Sequence, residues 1–383
     1  MVDGSEFRIA YVHVLPLEYY PPATNTLSIL AQQPRWNIRA WTSRNNRGVA
    51  PWSDDKVQVR RPFHGTHERP LLQRIAGYAS WHTRTAIELA RWKPHAVIAV
   101  EPHSMPAVWL YYKTLRGNAP LFIHHHEYYA PEDFNRPGMR LLAAGRSIEQ
   151  DTLLKRAEWV SQTNITRMQM MLKTHPAMRS ATAHVLPNYP PASWISKVEG
   201  PAQAAIPART RLVYIGSASF EDTFIREAAE WVAAHPDEVE LHVAGNNVAD
   251  DVWAWLNKRG APNITTDSDG VDYCDLPGLL ARFDAGLVLY KGSTLNFVHN
   301  VPNKAIEYLA CGLEVWYPPE MKEMRRFRDD NPSLRVREVD FMRLSAMTLP
   351  RVTRVPVTAF PFTAESALTS LLSRLEGVET ASE

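Results

Sequence analysis

A lysine and a glutamate lie three residues apart in the segment His299–Val315, HNVPNKAIEYLACGLEV. Pro302 fits the first turn of a helix, where its missing N–H costs nothing, and Lys304 and Glu307 would share one helix face. The free N–H groups of a helix start attract phosphate oxygens. Glu307 could accept hydrogen bonds from a ribose diol, as acidic residues do in dinucleotide-binding folds. The spacing also fits a plain ion pair on a solvated helix.

A second polar group, His124, His125, His126 and Glu127, ends the strand-like run LFIHHH. Side chains alternate along a strand, so His124 and His126 share one face while His125 and Glu127 share the other. Adjacent strand positions do not converge on one ion, which argues against a metal site. An imidazole or carboxylate at a strand end can deprotonate a hydroxyl, so Glu127 or His126 is the candidate catalytic base. The alternative is a hydrogen-bonded structural cluster.

The elements that must position these residues alternate between strands and helices, which predicts parallel, doubly wound sheets. In the first half, strand-like runs fall at 8–15, 37–42, 57–63, 96–101, 121–126, 159–163 and 185–186, and helical patterns at 24–33, 70–92, 104–116 and 140–157. In the second half, strand-like runs fall at 211–215, 239–244, 264–266, 285–290 and 314–317, and helical patterns at 222–234, 251–259, 276–283, 302–310 and 364–375.

A chain of 383 residues exceeds the usual size of one hydrophobic core, which favours two domains. The Ala- and Pro-rich residues 198–208 indicate the linker between them. We expect an α/β protein with two Rossmann-like domains, 8–190 and 208–345, facing each other across a cleft. The remaining segment, 346–383, is expected to pack back onto the first domain.

Composition excludes several classes of protein. A net charge of +1 argues against a nucleic-acid binder. The two cysteines, Cys274 and Cys311, match neither a zinc spacing nor a disulfide framework, and no apolar run approaches the length of a membrane span. Without a signal-peptide pattern, we expect a cytoplasmic protein. Residues 2–7, VDGSEF, look like a cloning remnant and are left out of the fold prediction.

Several segments together resemble bacterial glycosyltransferases of the GT-B fold, family 4 and its relatives. PNKAIEYLACGLEV is similar to their segment P-N-K-x-x-E-Y-x-A-x-G-x-P-V, and the xanthan glucuronosyltransferase has a related segment with a lysine in the same place. RLVYIGS, ELHVAGN and GVDYCDLPGLLARFDAGLVLY resemble successive parts of the donor domain, and HVLPNYP resembles the interdomain linker. The resemblance covers the second half well and the first half loosely.

The resemblance implies a nucleoside-diphosphate sugar as donor, UDP-linked, with no metal or other cofactor. Lys304 would meet the diphosphate, Glu307 the ribose, and the turn at Val271–Tyr273 the base. It makes the second domain the donor domain and the first the acceptor domain. The implied donor-nucleotide residues are Gly216, Ser217, Gly245, Val271, Tyr273, Tyr290, Asn303, Lys304 and Glu307.

The sequence departs from the family pattern at two places. Family members carry a second glutamate eight positions before the first, where this chain has His299, which becomes the candidate donor-sugar contact. They also carry an Arg and a Lys after the first donor-domain strand, where this chain has Glu221 and Asp222, with Arg226 as the nearby base. The donor sugar and the stereochemical outcome therefore stay open.

Two first-half features bear on the acceptor, a sugar or a lipid-linked sugar. The loop after the first strand lacks the Gly-rich phosphate fingerprint, so its Glu18, Tyr19 and Tyr20 either touch the acceptor or form a rigid rim. The basic stretch 56–95, interleaved with Trp81 and Trp92, suits an anionic membrane surface or a crossover helix with solvated arginines. Its cations are Lys56, Arg60, Arg61, Arg69, Arg74, Arg84, Arg91 and Lys93.

The sequence thus predicts a glycosyltransferase that moves a sugar from a UDP-sugar to an acceptor hydroxyl. Two alternatives stay open: another sugar-nucleotide enzyme such as an epimerase, and a catalytically silent sugar-nucleotide-binding subunit.

Overall fold

The structure is a computed structural model that describes residues 6–44, 50–62, 70–136, 138–176, 178–196, 209–245, 247–346, 352, 354, 357 and 359–382. The predicted linker 198–208, the suspected remnant at 2–5 and Arg69 lie outside the described residues. The chain divides into two compact units. The first unit holds residues 1–188 and 364–383, and the second holds residues 189–363.

Within the described part of the first unit, seven parallel strands form one sheet in the order β3-β2-β1-β4-β5-β6-β7. Its strands are β1 (Phe7–Val12), β2 (Trp36–Trp41), β3 (Val57–Arg60), β4 (Ala96–Val100), β5 (Leu121–His125), β6 (Trp159–Gln162) and β7 (Ala183–Val185). The central strands are almost wholly apolar and buried, because helices cover both faces of the sheet. Each face accordingly has its own apolar core.

The helices of the first unit include a crossover between nearly every pair of successive strands. They are α1 (Pro21–Leu30), α2 (Leu71–Trp92), α3 (Met105–Lys113), α4 (Arg140–Ile148) and α5 (Ile165–Thr174). A π-helical turn, Glu149–Leu153, continues α4. The C-terminal helix of the chain, Ala364–Ser382, also packs in this unit, where its Glu379 carboxylate accepts the Trp36 indole N–H at 3.0 Å.

In the second unit, six parallel strands of the described residues form a sheet in the order β10-β9-β8-β11-β12-β13. The strands are β8 (Thr210–Ile215), β9 (Val239–Ala244), β10 (Ile264–Asp267), β11 (Ala285–Leu287), β12 (Glu314–Tyr317) and β13 (Val336–Glu338). The helices are α6 (Ser193–Ser196), α7 (Ile225–Ala234), α8 (Asp250–Arg259), α9 (Leu276–Leu280), α10 (Leu295–Val298), α11 (Asn303–Ala310) and α12 (Lys322–Asp330), and the C-terminal helix of the first unit is α13.

The prediction of two doubly wound parallel sheets is confirmed. Several bounds differ. The helix predicted at 140–157 changes to a π-helical turn after Ile148, the strand at 285–290 ends at Leu287, and the helix at 364–375 continues to Ser382. The elements α5, α12 and β13 were not predicted.

Candidate functional site

The first sheet reverses its strand order between β1 and β4, and ligands bind α/β sheets at the carboxyl ends of strands beside such a switch point. His13 follows β1, and Glu101 follows β4. The next strand, β5, ends at His125, so His126 and Glu127 emerge at the same edge. Topology thus brings the predicted base candidates beside two residues that the sequence did not single out.

Glu101 organises this edge through its backbone and its carboxylate. Its φ of 62° lies in the left-handed region that favours glycine, and such strain concentrates at functional sites. Its buried Oε1 accepts the backbone N–H groups of His126 at 2.6 Å and Glu127 at 3.0 Å. The carboxylate therefore fixes the course of the chain where β5 ends.

His125 lies between two buried carboxylates. Its Nε2 donates to Glu149 Oε1 at 2.7 Å, and its Nδ1 lies 3.9 Å from Glu101 Oε2. Burial lowers the pKa of His125, but the two carboxylates outweigh burial and raise it to about 9. Burial likewise raises the pKa of Glu149, but His125 and Arg146 lower it to about 2. The π-helical turn after α4 supplies Glu149, and the group is an internal ion network rather than an open site.

A chain of hydrogen bonds assigns the tautomer of His126. Ser161 Oγ donates to the Ile123 carbonyl at 3.3 Å, so it accepts from His124 Nδ1 at 2.9 Å. His124 Nε2 then carries a lone pair and accepts from His126 Nδ1 at 3.1 Å, an N–H that also lies 3.1 Å from Asn188 Oδ1. His126 Nε2 is left with a lone pair, is buried and has no hydrogen-bond partner. It is placed to accept a proton.

Burial disfavours the charged form of His126 and of the imidazoles of His13 and His124. Burial lowers the pKa of His13 to about 3, with a further contribution from His126, and burial also lowers the pKa of His124 and His126. Glu127, the other candidate base, is 43% exposed at its side chain and lies 3.9 Å from Arg167. Among the described residues, no three His, Cys, Asp or Glu side chains are grouped to hold a metal ion.

The three candidate acceptor residues of the loop after β1 have different surroundings. The buried Glu18 carboxylate pairs with Arg61 at 2.6 Å and accepts the Trp52 N–H at 2.8 Å. These contacts anchor the loop and occupy one carboxylate oxygen. The hydroxyl of Tyr19 is buried. The Tyr20 ring contacts both His13, at 4.7 Å between centroids, and His126, at 6.2 Å.

In the second unit the strand order reverses between β8 and β11. Gly216 follows β8 with φ +149°, and Gly245 follows β9. The two glycines lie so close together that a Cβ on Gly245 would be 2.3 Å from the Gly216 carbonyl oxygen. Only glycine at Gly245 permits this approach of the two strand ends. No side chain therefore covers the backbone of these two glycines, at the place where the resemblance puts the donor phosphates.

Helix α11 begins at Asn303, and Pro302 is its N-cap residue rather than a first-turn residue as predicted. Lys304 Nζ donates to Glu307 Oε2 at 2.7 Å, with the lysine side chain 27% exposed and the glutamate 3% exposed. The Tyr308 hydroxyl accepts the Ile215 N–H at 3.0 Å, which ties the helix to the end of β8. The predicted diphosphate and ribose residues are thus brought together, and in this structure they bind each other.

The remaining donor candidates lie around these elements. Tyr273 lies 6.0 Å from Lys304 Nζ and packs on Trp194. The ring of Tyr290 stacks on Phe297 with centroids 4.5 Å apart. Of the others, Val271 packs partly buried on the core of this unit, Ser217 is exposed after Gly216, and Asn303 and His299 are half-buried.

Lys291, the neighbour of Tyr290, is a basic residue near the loop that follows β8. Its Nζ donates to the Phe220 carbonyl at 2.9 Å and lies 3.3 Å from Glu227. Arg226, the base expected there, instead lies 4.1 Å over the Phe220 ring. A basic group therefore reaches this loop from the end of β11.

The basic stretch 56–95 is mainly the crossover helix α2. Trp81 is fully buried in the core, and Arg39 lies 4.5 Å over the Trp92 ring. Leu72 and Ile75 are exposed beside Arg74 at the start of the helix. Nowhere among the described residues is a helix long and apolar enough to cross a membrane.

His13 and Glu101 are the site residues that sequence reasoning missed. Each is a charged or titratable residue directly after an apolar strand run, FRIAYV and AVIAV, and that position was the available signal. Their proximity depends on the strand order, which a single sequence does not state.

The fold has clear relatives among solved structures. No protein-family model and no curated protein sequence matches the chain. Similar structures include the α,α-trehalose 6-phosphate synthase of Burkholderia multivorans (TM-score 0.63, 11% identity, 99% of this chain and 98% of that one), and the Anabaena protein HepE with UDP and glucose (0.61, 11%, 97% and 100%). A putative UDP-N-acetylglucosamine 2-epimerase of Listeria monocytogenes also matches (0.55, 12%, 98% and 98%). The chain therefore has the GT-B fold, with two Rossmann-like units.

Proposed function

We propose that this protein is a glycosyltransferase that moves a sugar from a UDP-sugar to an acceptor hydroxyl. The observation that carries the proposal is the Lys304–Glu307 pair at the start of α11, in a fold whose solved relatives include a complex with UDP and glucose. In the reaction, the acceptor oxygen bonds to the anomeric carbon and its proton passes to the base. The bond from that carbon to the diphosphate breaks, and its electron pair stays on the diphosphate.

The proposed donor site, in the second unit, works by an exchange of partners. In the absence of donor, Lys304 neutralises the buried Glu307 carboxylate. On binding, the diphosphate takes the lysine and lies against the N–H groups of the helix start. The carboxylate is then free to accept the ribose hydroxyls. Lys291 supplies a second positive charge near the loop after β8, and together these groups stabilise the leaving diphosphate.

The proposed acceptor site, in the first unit, uses His126 as its base. Its Nε2 lone pair is open and its ring is neutral, as proton abstraction requires. Glu127 is the second candidate, because it lies one residue further along the same edge. His124 and Ser161 act on His126 by fixing its tautomer rather than by touching substrate.

The decisive test is calorimetric titration of UDP, GDP and dTDP without added metal. UDP should bind, and Lys304→Ala should weaken binding by about tenfold or more, the loss of a charge-assisted contact worth about 1.5–3 kcal/mol. Lys258→Ala, which removes an exposed lysine of α8 in the same unit, is the matched control and should leave binding unchanged. No binding of any of the three nucleotides to the wild type contradicts the proposal.

Two other functions remain as outcomes of further measurements. The epimerase neighbour supports an enzyme that converts a UDP-sugar without an acceptor. Product analysis by NMR separates the two, since an epimerase gives a new UDP-sugar and a transferase gives free UDP and a glycoside. A catalytically silent binding subunit would bind UDP and give neither product, and His126→Ala would leave its function unchanged.

We propose in addition that the start of α2 contacts an anionic membrane that carries a lipid-linked acceptor. The exposed Leu72 and Ile75 beside Arg74 support this contact. Sedimentation with phosphatidylglycerol vesicles should carry the wild type down and release Leu72→Ser/Ile75→Ser. Equal sedimentation of the two proteins contradicts the contact.

A further inference from the structure

Two buried imidazoles at the carboxyl edge of the first sheet have open nitrogens and lie close together. His13 is fully buried, and neither of its ring nitrogens has a hydrogen-bond partner. His126 has one such nitrogen, Nε2. The ring centroids lie 6.3 Å apart at an interplanar angle of 81°. Buried polar atoms are nearly always hydrogen-bonded in native proteins, so these nitrogens indicate a place for a polar group.

We infer that His13 and His126 hold a single hydroxyl oxygen between them, and that this oxygen is the attacking atom of the acceptor. The inference rests on the proposed function. One oxygen can reach a nitrogen on each ring with hydrogen bonds of about 2.8 Å, whereas the rings are too far apart to bond each other. The hydroxyl donates to the lone pair of His126 Nε2, and a His13 N–H donates to its oxygen.

The electrostatics of the pair select a hydroxyl over charged nucleophiles. A carboxylate carries no proton for the His126 lone pair. An ammonium ion would be a buried charge, and Oε1 of the Glu101 carboxylate is already used by the backbone N–H groups of His126 and Glu127. A neutral hydroxyl both donates and accepts, so it gives a partner to His126 Nε2 and to one ring nitrogen of His13 at the same time.

His13 acts on the reaction by directing the lone pairs of the oxygen. Its N–H occupies one lone pair, and the O–H points at His126, so a remaining lone pair faces away from both rings. Proton transfer to His126 and bond formation to the anomeric carbon then take place at a fixed oxygen. Tyr20, whose ring contacts both imidazoles, covers the place where the oxygen is held.

The test is NMR of the full chain labelled with ¹⁵N in its histidine rings. Glycerol serves as the hydroxyl probe, with acetate and ethylammonium as charged probes. Glycerol should shift the ring signals of both His13 and His126 saturably, and the charged probes should not. Absence of a glycerol response, or an equal response to acetate or ethylammonium, overturns the inference.

Variants assign the response to the pair. His13→Phe should abolish the glycerol response of His126, and His13→Asn, which keeps an N–H donor, should preserve part of it. His82→Phe is the control, since His82 is also buried with both ring nitrogens unpartnered but has Tyr78 and Trp81 as ring neighbours. Its replacement should leave the response intact, and loss of the response in that variant contradicts the assignment.

UDP calorimetry on the same samples separates this inference from the proposed function. UDP binding without a glycerol response refutes the hydroxyl site and leaves the donor site standing. A glycerol response without UDP binding refutes the glycosyltransferase and, with it, the part of His13 in sugar transfer.

Discussion

Replacement of Glu101 should disorder the end of β5 and with it the proposed base. Glu101→Ala leaves the buried N–H group of His126 and the part-buried N–H group of Glu127 without their acceptor, and it removes one of the two counter-ions of His125. An unsatisfied buried donor costs about 1–3 kcal/mol, and full loss of a buried ion-pair partner costs roughly 3–5 kcal/mol. Because one N–H is only part-buried and His125 keeps Glu149, neither cost applies in full, and we expect a total loss of about 3–5 kcal/mol, a large part of the roughly 5–15 kcal/mol of a typical domain.

Two further substitutions at Glu101 separate the carboxylate from the backbone. Glu101→Gln keeps an acceptor oxygen for both N–H groups and removes the charge, so it should cost less, about 1–2 kcal/mol. Glu101→Gly also loses the carboxylate, but its backbone accepts the φ of 62° without strain. It should therefore be more stable than Glu101→Ala by about 1 kcal/mol.

Hydrogen exchange followed by mass spectrometry measures these effects at the site itself. In the wild type, the amides of His126 and Glu127 should be protected by Glu101. Each 1.4 kcal/mol of lost local stability speeds exchange about tenfold. These two amides should therefore exchange fastest in Glu101→Ala, more slowly in Glu101→Gly and most slowly in Glu101→Gln. Wild-type protection in Glu101→Ala would refute the claim that this carboxylate holds the strand end.

Three more predictions follow from particular contacts. Because the pKa of His125 is raised to about 9, its contribution to stability is complete below pH 6.5 and is lost as pH rises through 9. The free energy of unfolding measured with urea should therefore fall by roughly 3 kcal/mol between pH 6 and pH 10, and Glu149→Gln should reduce this fall. Gly245→Ala should abolish UDP binding in calorimetry, since its Cβ meets a backbone oxygen at 2.3 Å, whereas Gly278→Ala, with open space, should leave it unchanged. Glu379→Ala should lower the thermal unfolding midpoint of the first unit by about 2–4 °C per kcal/mol lost at the Trp36 indole.

The fold could be predicted from sequence because its strands are short apolar runs bounded by turn residues. AVIAV and LFIHH are examples, and both lie in buried positions of the first sheet. The helix α12, KEMRRFRDD, was missed because it is charged along most of its length and buries only Glu323 and Met324. The π-helical turn at Glu149–Leu153 was missed because it depends on a tertiary contact, the hydrogen bond between Glu149 and His125.

For the site residues too, contacts between residues close in sequence could be predicted, and contacts that depend on the tertiary structure could not. Lys304 and Glu307 were found because a helix brings residues three apart together, so their proximity is written in the sequence. His13 and Glu101 were not found, because only the strand order β2-β1-β4 makes their strand ends neighbours. The tautomer of His126 depends on a series of hydrogen bonds that runs from the Ile123 carbonyl to Asn188, and a single sequence does not show such a series.

The two sheets present opposite electrostatic characters at their switch points, and the proposed reaction needs both. A base that takes a proton from a hydroxyl must be uncharged, and burial keeps His126 neutral. A leaving diphosphate must be met by cations, and Lys304 at the start of α11 supplies one. In the first unit the Glu149 carboxylate is paired with His125, while the Glu101 carboxylate accepts the backbone N–H groups of His126 and Glu127. The candidate base and the candidate anion site thus belong to separate units, and each is positioned by the strand ends of its own sheet.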